Sequence, residues 1–133
     1  MSFWKCDDLA NINDAIKAIL LSTTAIKTSY FVIIDKLVAE EHGFSMDDTE
    51  KGQTGYKGFE NLHINMTELT YGKIGTLMTM LQKVVSNEKF IVKVETKKIK
   101  VLINEVIAAD CLNKDIIHKD LLKDINKFFP ETC

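Results

Sequence analysis

Two spacings in this chain could hold a metal ion. Glu60 with His63, and Asp115 with His118, are acid-x-x-His pairs, a spacing that sets two ligands on one face of a helix. A complete site needs two more inward carboxylates, for which Glu40 and Glu41 are the available pair. Glu60, however, falls in a stretch without periodicity, and His118 lies between apolar Ile117 and charged Lys119. Such a short spacing arises cheaply by chance, so the expectation is two unrelated histidines, no metal and no cofactor. Cysteine chemistry fares no better. Cys6, Cys111 and Cys133 are an odd set with no metal-ligand spacing, which predicts reduced thiols. Cys111 sits in an apolar helical stretch and reads as a small core residue. No Ser, Cys and His grouping can be argued from spacing, so no catalytic residue is assigned and the chain is expected not to be an enzyme.

Binding chemistry is better represented. Between Gly43 and Asn61 periodicity disappears, and Gly52, Gly55 and Gly58 recur at steps of three with Tyr56, Lys57 and Phe59 among them. The stretch is not a calcium loop, because Lys51 and Gly58 stand where an EF-hand needs oxygen ligands. It is not a phosphate loop either, lacking the Gly-Lys-Ser/Thr ending. A loop of this length is either disordered or functional. Two aromatic rings give a solvated linker nothing but supply contact area cheaply, so Tyr56, Lys57 and Phe59 are the predicted protein-partner contacts.

A second set reads as nucleic-acid chemistry. Residues 64–104 hold seven lysines against three glutamates, although the whole chain carries a formal charge of −2. A short helix at 66–71, a glycine turn, a helix at 76–86 and a lysine-rich hairpin at 89–103 have the order of a winged helix-turn-helix. Thr76, Thr79, Gln82 and Lys83 would then face the major groove, with Lys97 and Lys98 on phosphates at the wing tip. Against it, all seventeen basic residues are lysine, so the bidentate fork that reads guanine is missing. The tetrad Gly72-Lys73-Ile74-Gly75 echoes the backbone-clamping GxxG loop of KH domains but lacks its preceding strand.

The elements that must position these groups start with Leu9 to Glu41. Steps of four and three give Ile12, Ile16, Ile19, Thr23, Ile26, Tyr30, Ile33 and Leu37, a seam that predicts one helix about 50 Å long. Ser22, Thr23, Thr24, Thr28 and Ser29 favour a break, so two helices are the alternative. The apolar turn from Tyr30 to Ile34 places the core centre at Ile33. Asn65 and Glu68 suggest a cap for a helix near 66–86, whose inward face would be Leu69, Ile74, Leu77, Met78, Leu81, Val84 and Val85. Alternation from Phe90 to Ile103 suggests a strand or hairpin near 89–103, with a helix from Thr96 as its rival. Ile117, Leu121, Ile125 and Phe128 predict a C-terminal helix from Asp115 to Phe129, stopped by Pro130.

The fold class expected is therefore mainly α with a minor β element, as one domain over 1–133. No apolar run reaches the length of a membrane span, and acid stands where a secretory signal has its apolar centre, so an intracellular, cytoplasmic chain is expected. Rich Ile, Lys and Asn without Arg suit an AT-biased viral, phage or plasmid gene. The function expected is a non-enzymatic binding or inhibitory protein acting on a protein partner, with homo-oligomerisation through the long helix and a DNA-binding regulator as alternatives.

Overall fold

The computed structural model describes residues 2–6, 11–87 and 90–130. The helix start expected at Asp7-Asp8, together with Leu9, Lys89 and Cys133, lies outside them. The long N-terminal helix does not form. Its span instead holds α1 (Ile12–Leu20), β2 (Ser29–Val32) and α2 (Lys36–Glu41), following a short β1 (Ser2–Trp4). The hydroxyl cluster explains the stop: Ser22 Oγ donates to the Ile19 carbonyl at 2.6 Å and Thr23 Oγ1 to the Leu20 carbonyl at 2.7 Å. Those carbonyls are thereby satisfied locally, and the next helical turn has nothing to gain from them. Beyond the break the backbone amide of Ile26 donates to Asp124 Oδ2 at 3.1 Å, which redirects the chain.

Residues 29–32 then read with period two. Phe31 packs into the main core while Tyr30 and Val32 point outward, so the heptad count ran through a strand. Ile33 is accordingly only half-buried and is not the core centre. Asp35 caps α2 by accepting from the Leu37 amide at 2.9 Å, and Gly43 closes it at φ 85°, as a C-terminal glycine should.

The remaining elements are β3 (Ser45–Asp47), a 3-10 turn at Glu60–Leu62, β4 (His63–Thr67), α3 (Tyr71–Val85), β5 (Ile91–Val94), α4 (Thr96–Ala108) and α5 (Lys119–Phe128). The helix expected near 66–86 is thus a strand followed by a helix. Glu68, at φ 57°, turns the chain, and Thr70 supplies the cap by accepting from the Lys73 amide at 3.3 Å. Gly72 and Gly75 do not split α3. The hairpin near 89–103 is also corrected: the strand ends at Val94, and Ile99, Leu102, Ile103 and Val106, all buried at helical spacing, make the following segment α4. The expected helix from Asp115 begins at Lys119, after His118 Nδ1 accepts from the Asp120 amide at 3.2 Å.

Two small antiparallel sheets result, ordered β1-β4-β3 and β2-β5. The larger apolar cluster joins α1, α4 and α5 through Ile16, Leu21, Leu102, Ile103, Leu121 and Ile125, with Phe31, Val92 and Val94 of the ribbon against it. A second cluster gathers Ala39, Phe44, Met66, Leu77 and Met80, with Phe3 and Met46 from the first sheet. The chain is therefore an α+β mixture with short helices, not a structure organised along one rod.

Candidate functional site

Helix α3 is apolar over far more of its circumference than the fold covers. At 3.6 residues per turn, Leu77, Met80 and Val84 lie on one side, and the first two are buried in the second cluster. Next to that side runs a stripe roughly 60° wide made by Tyr71, Ile74, Met78 and Val85. These are 95%, 43%, 55% and 51% exposed. Half-buried Leu81 forms the border between the two. The spacing 71, 74, 78, 81, 85 alternates three and four, which is the repeat that keeps a helix facing a helical neighbour. A contiguous apolar stripe of this kind on a folded chain is the usual mark of an interaction surface.

The local sequence explains how the stripe is held. Thr70 fixes the start of the helix, and Leu77 and Met80 anchor it to the cluster beneath. Thr76 and Thr79 donate their hydroxyls to the carbonyls of Gly72 and Gly75 at 3.3 and 3.2 Å, so they are spent on the helix's own backbone. Gln82 and Lys83 are exposed on α3, and Lys97 and Lys98 lie on the first turn of α4. There they line a cleft of about 420 Å³ with Lys93, Glu95 and Val101. The six residues thus do not form a recognition helix with a wing: α3 is continuous and no hairpin tip carries the lysines.

The glycine loop is bound into the fold. Thr54 is fully buried and donates Oγ1 to the Ala18 carbonyl at 2.6 Å. Tyr56 is buried, pairs with Leu112 in an isolated bridge, and donates its phenol to Asp14 Oδ1 at 3.0 Å. Burial first, and then the Asp14 hydrogen bond, push that phenol well above its ordinary range. Phe59 stacks on Tyr56 at 4.0 Å between centroids, and only Lys57 of the three predicted contacts is exposed.

The histidines of both acid-x-x-His pairs make local hydrogen bonds through Nδ1. His63 Nδ1 bonds the Glu50 carbonyl at 3.2 Å and its ring meets Trp4 edge-on, beside a polar cleft of about 410 Å³. His118 serves as the α5 cap. Among the described residues, no three His, Cys, Asp or Glu side chains gather around a common point for a metal ion. Cys111 lies past the end of α4, half-buried, with its thiol on the Ala109 carbonyl at 3.4 Å. No helix of the described residues is long and apolar enough to cross a membrane.

The sequence pattern sets Ile74, Met78 and Val85 on one apolar face with Leu77 and Leu81, which hides the stripe within it. The available signal was the width of the apolar arc, about half the helix circumference, where one packed face needs about 100°. No family model, curated protein or solved structure matches the chain.

Proposed function

We propose that this chain is a non-enzymatic docking protein whose α3 stripe receives an apolar helical surface. The observation that carries the reading is the exposure of Tyr71, Ile74, Met78 and Val85 on one line of a helix whose other apolar side is already buried. Burying apolar area is the general driving force of association, at about 25 cal/mol per Å² before the costs of ordering and lost freedom. Aromatic and methionine side chains adapt well to an incoming surface, and Tyr71 and Met78 are the two most exposed members. The aromatic pair of the glycine loop, by contrast, is engaged within the fold.

The test is a double variant, Ile74→Glu with Met78→Glu, compared with the parent chain by affinity recovery from cell extract. Both positions face solvent, so the fold should survive, as judged by circular dichroism. Loss of the recovered partners in the variant supports the reading. Equal recovery from the two chains contradicts it.

A further inference from the structure

We propose that the polar cleft beside His63 binds a small organic anion, a ring-bearing phosphate of mononucleotide size, with Lys51 on its charged group and Trp4 and His63 against its ring. The site is separate from the α3 stripe and does not depend on the docking reading.

The floor of the cleft is one face of the first sheet. Trp4 and His63 are register partners across β1 and β4, and Asn65 follows His63 by two residues, on the same face. The other face carries Phe3 and Met66 into the second cluster. Residues 50–54 run over the polar face and are tied down at both ends. The main-chain carbonyl of Glu50 accepts from His63 Nδ1 at 3.2 Å, and its carboxylate accepts from Asn65 Nδ2 at 3.0 Å. Thr54 is held to α1 by its bond to the Ala18 carbonyl. Between these anchors burial alternates as in an extended segment, with Gly52 and Thr54 inward and Lys51 and Gln53 outward. Gly52 permits the close approach: a Cβ there would stand 2.5 Å from Trp4 Cη2 and 2.7 Å from His63 Cβ. The segment therefore lies directly on these two side chains, and Lys51 and Gln53 line the cleft with them.

The polar groups left unspent define the ligand. Lys51 brings an ammonium to the cleft and makes no ion pair or hydrogen bond among the described residues, and none of these lines the cleft with a carboxylate. The acids that precede Lys51 are engaged elsewhere, Asp47 by Thr49, Asp48 by Lys5 and Glu50 by Asn65. The side-chain amide of Gln53 is likewise uncommitted among the described residues. Because a carbonyl only accepts, His63 Nδ1 carries its proton there, and Nε2 of the neutral ring remains an acceptor. One unpaired cation, a free amide and an aromatic wall match an anionic group attached to a flat ring with polar edges. A hydrocarbon would leave the ammonium and the amide unmet, and a hard metal cation would find no carboxylate. At about 410 Å³ the cleft stands in the lower part of the usual range for ligand sites, about 300–1,000 Å³.

The experiment titrates the full chain with adenosine monophosphate and follows the fluorescence of Trp4, the single tryptophan of the sequence, with calorimetry as the second readout. The expected result is saturable binding that weakens as salt is added. Lys51→Gln should raise the dissociation constant about tenfold or more, as loss of a charged hydrogen bond does. Lys51 faces solvent, so the variant should fold, as judged by circular dichroism. Lys57→Gln, at an exposed lysine of the same loop that does not line the cleft, should leave binding unchanged. Adenosine and inorganic phosphate should each bind about tenfold or more weakly than the monophosphate. Adenosine binding as tightly as the monophosphate overturns the anionic contact, and phosphate binding as tightly overturns the ring contact. Neither saturable heat nor a fluorescence change with the monophosphate overturns the proposal, as does binding indifferent to Lys51→Gln.

Discussion

The phenol of Tyr56 donates to Asp14 Oδ1 across 3.0 Å, tying the loop after β3 to the first turn of α1 over 42 positions of sequence. The contact turns a glycine-rich segment into part of the core. Tyr56→Phe should therefore cost about 1 kcal/mol, the usual net value of one hydrogen bond, in urea unfolding.

The same residue sets an alkaline dependence. Its folded pKa is raised above the ordinary 10.0, so the neutral phenol is the form the fold prefers. Stability from this group is fully present below pH 10 and is lost as pH rises from there through the folded value. The urea midpoints of parent and Tyr56→Phe should draw together as pH rises above about 10. A gap that stays constant would show that the phenol is not held as described.

Gly55 illustrates a glycine that the fold does require. A Cβ there would fall on the Cγ1 of Ile117, while its amide donates to the Leu21 carbonyl at 3.0 Å and its carbonyl accepts from Asn113 at 2.8 Å. Neither neighbour can retreat without opening the junction of α1 with the segment before α5. Gly55→Ala should destabilise by about 1–3 kcal/mol, the range for overpacking.

Gly75 behaves oppositely within one chain. Gly75→Ala meets open space on a helix, so in dilute solution it should stabilise by about 0.5–1 kcal/mol. A lower thermal midpoint for that variant would mean that α3 is not helical at this position.

The core centre lies between α4 and α5. Leu102 and Ile125 are 1% and 0% exposed, and Leu102→Ala should cost about 2–5 kcal/mol. Ile33→Ala, at a half-buried position, should cost clearly less under the same denaturant titration. Equal losses would return the centre to the Tyr30–Ile34 turn.

Legibility in the sequence tracked how local each signal was. The glycine end of α2 and the buried pair Leu121 and Ile125 rest on neighbours within a turn or two, and the structure places them as the residues suggest, whereas Ile117 of the same expected stripe is buried ahead of the helix and Phe128 is exposed. The seam from Ile12 to Leu37 failed because period 3.5 and period 2 agree over short stretches. Only pairing with β5, some sixty residues away, decides that Tyr30 to Val32 is a strand. Likewise, Asn65 with Glu68 imitates a capping box, yet pairing of β4 with both β1 and β3 overrides it. The α3 stripe was visible as apolar residues but not as exposed ones, since exposure depends on which cluster the helix lands on.

Met78 and Met80 offer the most direct measurement, because they stand on opposite sides of that distinction at 55% and 4% exposure. Oxidative footprinting of the chain alone, and again in complex with the partners recovered from extract, compares the two thioethers in one sample. Rapid oxidation of Met78 is expected in the free chain, strong protection of it in the complex, and a slow, unchanged rate at Met80. A Met78 rate that is the same in the free and the complexed chain would contradict the claim that the α3 stripe is the docking surface.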